Sequence, residues 1–220
     1  MKKIGLIHTS ATLVPVFQDL FKDKAVPAEV FNIVDDSLIK DVIAKGRLEE
    51  DTAQRVINYV TSAEQAGADL IMVTCSSIGR AVERAAEKAG VPVIRVDQPM
   101  VDRAVAEGKR IGVVATLPTT LEPTSDLVLR RAEKAGKKVE LTSRLCEGAF
   151  EALMGGDPVK HDDMIIAALR ELSGEVDVIL LAQASMARAV NQMPDSERNV
   201  PILSSPGIAV DHLAAVCEAS

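Results

Sequence analysis

The residue best placed to do chemistry is Cys75, which closes the short apolar run Leu70-Ile71-Met72-Val73-Thr74. Ser76-Ser77-Ile78-Gly79 follows it and reads as the first turn of a helix. A thiol beside a helix N-terminus gains thiolate character from the dipole, and a thiolate is a base and a nucleophile. A free cysteine can also simply pack as a small hydrophobe, and Cys146 and Cys217, which lack this setting, are read that way. The cysteines stand 71 residues apart in each interval and are odd in number, so they do not read as a disulfide framework. A later run, Asp177-Val178-Ile179-Leu180-Leu181-Ala182, ends at Gln183. An amide does not titrate near neutral pH; it only donates and accepts hydrogen bonds.

Other polar residues gather where apolar runs end: His8, Thr9 and Ser10, then Thr74, Ser76 and Ser77, then Asp97, then Thr116, Thr119 and Thr120, and finally Ser185 and Met186 beside Gln183. Most precede a helix, whose backbone N–H groups and dipole favour an anion, so a small carboxylate is the expected ligand. His8 is read either as positioning substrate or tuning Cys75, or as making a structural hydrogen bond. Asp97 is either a cleft carboxylate or the cap of a helix starting near Gln98. Arg188 is expected on an exposed helix face, with a substrate carboxylate as its alternative partner. His161, Asp162 and Asp163 follow a helix start signal and are read as a solvated first turn rather than a metal site, because adjacent helical residues point in different directions. His212 is read as structural. Glycine-rich phosphate motifs are absent, so no nucleotide cofactor is expected, and without a cluster of His, Cys and acidic ligands no metal is expected either.

These residues need elements to hold them. Short apolar runs at Ile4–His8, Val30–Val34, Leu70–Val73, Val93–Val96, Ile111–Ala115, Val139–Thr142, Val178–Leu181 and Ile202–Leu203 are mostly β-branched, as in strands buried on both faces of a parallel sheet. Helical stretches such as Asp51–Gln65, Ser77–Ala89, Thr124–Ala135 and Pro158–Leu172 lie between them, which makes the chain α/β. The pattern also repeats. Ile4-Gly5-Leu6-Ile7 is answered by Ile111-Gly112-Val113-Val114, Asp69–Cys75 by Asp177–Gln183, and Val91-Pro92-Val93-Ile94 by Val200-Pro201-Ile202-Leu203, at offsets of 107, 108 and 109. Two pseudo-symmetric parallel-sheet α/β units facing a shared cleft are expected, 1–98 and 99–206, with a C-terminal helix at 207–220 packing back on the first. Ligands of such sheets bind outside the carboxyl ends of the strands.

Composition bounds the rest. A formal net charge of −7, one Tyr, four Phe and no Trp leave neither a basic stripe nor stacking platforms for nucleic acid. No apolar stretch reaches the ~20 residues of a membrane helix, and the first residues lack the long apolar region of a secretory signal. A cytoplasmic protein is expected, as a homo-oligomer (a dimer or higher), with a small carboxylate as its partner and neither nucleic acid nor membrane.

Val73-Thr74-Cys75-Ser76-Ser77 resembles the first thiol motif of the aspartate/glutamate/hydantoin racemases. Ile111–Thr120 resembles their strand followed by a threonine-rich turn, and Leu181-Ala182-Gln183-Ala184-Ser185-Met186 is similar to their second thiol motif. The resemblance covers nearly the whole chain. It implies two similar domains enclosing the substrate, one cysteine from each on either face of the carbon being deprotonated, and no cofactor. It also implies that Thr and Ser beside the thiols hold the substrate carboxylate. Here Gln183 stands where the second cysteine belongs, a departure that leaves Cys75 as the one thiol for proton transfer and Gln183 to hold a carboxylate or stabilise an enediolate oxygen. Three readings follow: a racemase or isomerase acting on a small carboxylate, a one-thiol decarboxylase or carbon–carbon lyase, and a non-catalytic carboxylate-binding protein.

Overall fold

In a computed structural model, which describes residues 1–218, the apolar runs form eight strands. The strands β1 (Lys2–His8), β2 (Ala28–Val34), β3 (Leu70–Val73) and β4 (Val93–Arg95) make one parallel sheet in the order β2-β1-β3-β4. The strands β5 (Arg110–Ala115), β6 (Glu140–Leu145), β7 (Val178–Leu181) and β8 (Ile202–Ser204) make a second, in the order β6-β5-β7-β8. The chain divides into two compact units, residues 1–98 with 206–220, and residues 99–205. The repeat read from sequence is reproduced in the pairing register. Ile4 lies opposite Leu70, and Ile111 opposite Val178; Ile71 lies opposite Val93, and Ile179 opposite Ile202.

Between the strands run α1 (Leu13–Asp23), α2 (Ser37–Lys45), α3 (Glu50–Gln65), α4 (Gly79–Ala86), α5 (Gln98–Glu107), α6 (Pro118–Lys134), α7 (Ala149–Met154), α8 (Pro158–Ser173), α9 (Ala187–Gln192) and α10 (Ser205–Glu218). Successive strand residues point to opposite faces, and in the first unit both faces are covered. Ile7, Ile71 and Val73 pack with α2, α3 and α4, while Ile4, Leu6, Leu70 and Met72 pack with Phe17 of α1 and with Ala209, Val210 and Leu213 of α10. In the second unit Val114, Ile179 and Leu181 pack with α7, α8 and α9. Only the inner strands are buried this way: β2 and β6, at sheet edges, contain no fully buried residue. Residues 219–220 of the expected C-terminal helix lie outside the described residues, and that helix begins at Ser205 rather than at residue 207. Among the described residues no helix is long and apolar enough to cross a membrane.

Two helix boundaries differ from the sequence reading. The helix expected from Thr124 begins at Pro118, because Pro118 occupies the first turn, where no N–H is needed. Pro123 then sits inside the helix and cannot donate to the Thr119 carbonyl one turn back. The helix expected over Ser77–Ala89 is split into a 3₁₀ turn at Ser76–Ile78 and α4, which ends at Ala86. By contrast Gly136, at φ 65°, follows the end of α6 in the left-handed conformation that Gly adopts without a side-chain clash.

One acidic residue per unit ties the strand starts together. The Asp69 carboxylate accepts from the Lys3 N–H at 2.7 Å, and that of Asp177 from the N–H groups of Arg110 and Lys109 at 2.9 and 3.0 Å. The Arg110 guanidinium adds bonds of 3.0 and 2.7 Å to Asp177. The Arg110 N–H, then the Arg110 side chain and the Lys109 N–H hold the Asp177 carboxyl at about 2. An unfolded-chain carboxyl titrates near ~3.9, so this contribution is complete above that value and is lost as pH falls through about 2. Asp177→Asn is therefore expected to lower the urea midpoint at neutral pH, and the gap from wild type should close as the solution is acidified through that window. A gap independent of pH would contradict the assignment.

Candidate functional site

The carboxyl end of β3 places Cys75 in extended backbone (φ −132°, ψ 120°), directly before the 3₁₀ turn Ser76–Ile78. Its side chain is half-buried and packs against the core shared by α2, α3 and α4. The Thr9 hydroxyl, the N–H groups of Ser77 and Ile78, and the Ser77 hydroxyl donate to its sulfur. Burial outweighs those donors and pushes the Cys75 thiol above its ordinary value. This corrects the expectation of a thiol activated by a helix dipole. The turn is a single 3₁₀ turn, and α4 begins only at Gly79, so the sulfur meets individual N–H groups rather than the end of an α-helix. Burial likewise raises Cys146, to about 11, and raises Cys217.

His8, at the end of β1, is fully enclosed and both ring nitrogens are engaged. Nε2 lies 2.9 Å from Asn32 Oδ1, and Nδ1 lies 2.8 Å from Thr74 Oγ1. The Thr74 hydroxyl donates to the Ile7 carbonyl at 3.2 Å, so its oxygen is the acceptor for Nδ1–H, and Nε2 pairs with the Asn32 side-chain amide. Burial lowers the pKa of His8, which favours the neutral ring. Of the readings open for His8, the structural hydrogen bond is the one observed: the ring fixes Thr74, the neighbour of Cys75. Asn32 gave no sequence signal beyond being polar in an apolar strand.

Asp97 directly precedes α5, which begins at Gln98 as expected, and its carboxylate is paired with a side chain. It is fully buried, and Arg95 holds it through Nε and a terminal nitrogen at 2.9 and 2.7 Å. Ser10 turns instead to Thr12, 2.7 Å away on the surface. The structure thus brings Thr9, Thr74, Cys75, Ser76 and Ser77 together around the strand end, supported by His8, and leaves Ser10 and Asp97 in other roles.

In the second unit Gln183, two residues beyond β7, has nearly the backbone of Cys75 (φ −134°, ψ 138°) and is followed by the 3₁₀ turn Ala184–Met186. Its Oε1 accepts from the Thr116 N–H at 2.6 Å and the Thr116 hydroxyl at 2.9 Å. With the amide oxygen so occupied, the end left to donate is the NH2 group. The units therefore share a local design: Thr9 bonds Cys75, and Thr116, at the repeated position, bonds Gln183. Met186 repeats the position of Ile78, and both are fully enclosed in apolar clusters, so Met186 serves the core. Ser185 is exposed. Thr119 and Thr120 belong to the first turn of α6 rather than to a loop; Thr120 is buried, and the enclosed Thr119 hydroxyl oxygen has no hydrogen-bond partner.

His161 is fully buried, not solvated, and Nδ1 lies 2.8 Å from Asp162 Oδ1. Asp162 also receives Arg188 at 2.9 and 3.0 Å and Gln192 at 2.7 Å, which locks α9 to α8. Arg188 is thus half-exposed and structurally paired. Among the described residues no group of three or more His, Cys, Asp or Glu could hold a metal. A groove of about 870 Å³ runs past Gly108, Lys109, Lys138, Glu140 and Asp177. It lies at the amino ends of the strands, the end opposite to Gln183.

Residues 4–213 match the profile of a family described as Asp/Glu/Hydantoin racemase. Two solved structures with the same fold each give a TM-score of 0.75: an Asp/Glu racemase candidate from Yersinia pestis, 17% identical over 99% of this chain and 100% of that one, and a glutamate racemase isoform from Bacillus anthracis, 19% identical over 99% of this chain and 82% of that one. Aspartate racemases, allantoin racemases and a variant of arylmalonate decarboxylase share it as well. A protein of Leptothrix cholodnii described as nucleotide-binding is 29% identical over 114 residues, 52% of this chain and 34% of that protein, so the match spans about a third of its length.

The raised Cys75 thiol gives a direct measurement. Alkylation followed residue by residue with peptide mass spectrometry should place the Cys75 rate midpoint above the ~8.5 of an ordinary thiol. A midpoint below it would refute the dominance of burial.

Proposed function

Because this chain belongs to the Asp/Glu/hydantoin racemase family, we propose that it is a cofactor-independent, isomerase-like enzyme that moves a proton at the carbon next to a small acid's carboxylate, with Cys75 as the exchanging group. The observation that carries this reading is the set of donors around the sulfur: the Thr9 and Ser77 hydroxyls and the N–H groups of Ser77 and Ile78. Hydrogen bonds of this kind favour the charged form of a thiol. The Cys75 thiolate takes the proton, and the electron pair left on the substrate spreads into its carboxylate as an enediolate, which N–H and hydroxyl donors stabilise. The names of structural neighbours, glutamate racemase among them, support a small amino acid or related carboxylate as substrate.

A second reading, a decarboxylase or other carbon–carbon lyase, is favoured by two observations. Burial keeps the Cys75 thiol protonated to higher pH, which suits a proton donor, and the repeated position in the second unit holds an amide fixed by Thr116. Loss of carbon dioxide would leave an enediolate for Cys75 to protonate from one face.

Two variants test these readings. Cys75→Ser keeps the size but replaces a titratable thiol with a hydroxyl of far higher pKa, and turnover should fall by several orders of magnitude with the fold intact. Replacing Cys146 or Cys217 by Ala should affect stability at most. Unchanged activity in Cys75→Ser would remove the site assignment. Gln183→Cys supplies a second titratable group, and the ratio of racemisation to other turnover should rise. The assay is exchange of solvent deuterium into each enantiomer of a panel of small carboxylic acids. A wild type that exchanges both enantiomers at comparable rates would rule out a one-thiol mechanism.

A further inference from the structure

Arg95 is the one charged residue in the short strand β4, and it is 2% exposed. A buried guanidinium needs partners. Asp97 takes it bidentately, and Glu83 of α4 accepts its remaining terminal nitrogen at 2.7 Å. The guanidinium packs against Gly79, the first residue of α4. A Cβ added at Gly79 would stand 2.2 Å from the Arg95 Cζ and 2.5 Å from two of its nitrogens. The backbone there is ordinary right-handed helix (φ −57°, ψ −34°), so space rather than conformation selects glycine. The repeat supplies an independent check. Val73 pairs with Arg95 in β4, and at the same step of the second sheet Leu181 pairs with Ser204. Where the arginine is replaced by Ser204, the glycine is replaced by Ala187, the first residue of α9. Gly79 and Arg95 are thus present together in one unit and absent together from the other.

Gly79 directly follows the Ser76–Ile78 turn, whose residues are all buried. We propose that Arg95 is a positioning residue: pinned by Asp97 and Glu83 and packed on Gly79, it fixes the turn whose N–H groups point at the Cys75 sulfur. A cation at a helix start opposes the helix dipole, so the guanidinium holds this place only with both carboxylates on it. The clamp acts through the backbone rather than on substrate. The inference deepens the reading of Cys75 as the reacting thiol, but its measurement is made on the free protein and needs no turnover.

The experiment is the pH dependence of Cys75 alkylation in full-length wild type, Gly79→Ala and Glu83→Gln, with Cys146 in the same digest as internal control. In Gly79→Ala the new methyl displaces the guanidinium, the turn loosens and the Cys75 midpoint moves to higher pH. Below the midpoint each unit of movement lowers the thiolate fraction about tenfold. Glu83→Gln should move it the same way by less, and the Cys146 midpoint should stay put in both. Folded variants with the wild-type Cys75 midpoint, even with a lowered melting temperature, overturn the proposal, since a merely structural clamp changes stability alone. If Gly79→Ala does not fold, Glu83→Gln decides: a shift supports the clamp, and no shift overturns it. Retention of activity by Cys75→Ser would end the functional reading but leave this result standing.

Discussion

The inner strands β1, β3, β5 and β7 pair with neighbours on both sides and are covered by helices or apolar side chains on their faces, so their interior positions are apolar almost without exception. Polar side chains can enter only where a strand stops and its last backbone groups turn into the next element. That constraint places Cys75 and Gln183 at strand ends, each held by a threonine that follows the neighbouring central strand. It also sets the character of the thiol. A sulfur two residues beyond the buried run Leu70–Val73 inherits the low dielectric of the core, and a few N–H and hydroxyl donors offset that cost only in part.

Buried charge is handled in the same economical way in both units. Arg95 with Asp97, and Asp162 with Arg188, are bidentate pairs with further hydrogen bonds to Glu83 and Gln192. Removing one member of the fully buried Arg95–Asp97 pair strands the other, which typically costs about 3–5 kcal/mol. Each pair also fastens the short helix that follows a strand-end turn, α4 in one case and α9 in the other. Two short helices with few residues of their own to bury are thereby held more firmly than their length would allow.

The sequence made the strands legible because β-branched runs bounded by Gly, Asp and Pro leave little else for those segments to be, and the constant offsets made the duplication legible before any pairing was known. What stayed hidden depended on contacts across long sequence separation. Arg95 was absorbed into an apolar run, although a charge inside so short a strand is itself the sign of a buried partner. His161 looked solvated because its polar neighbours dominate the local pattern, whereas the face of α8 it occupies is the inward one. The direction of the Cys75 shift was misread for a similar reason: spacing identifies a turn after the strand, but not whether that turn is α or 3₁₀, nor how much apolar surface closes over the sulfur.

The repeat separates what the backbone requires from what chemistry requires. Cys75 and Gln183 have matching φ and ψ, each precedes a three-residue 3₁₀ turn, and the turns end on the enclosed residues Ile78 and Met186. Those shared features are the fold's own. The differences cluster around the thiol. His8 and Thr74, hydrogen-bonded beside Cys75, have Ala115 and Ala182 at the repeated positions, and Gly79 with Arg95 has Ala187 with Ser204. An amide keeps its hydrogen-bonding character at every ordinary pH, so one threonine suffices to orient Gln183. A thiol changes charge, and its ionised form is stabilised or not by how firmly the surrounding donors are held. The additional polar and charged residues of the first unit, absent from the repeated positions of the second, are the supports that a titrating group needs and a non-titrating one does not.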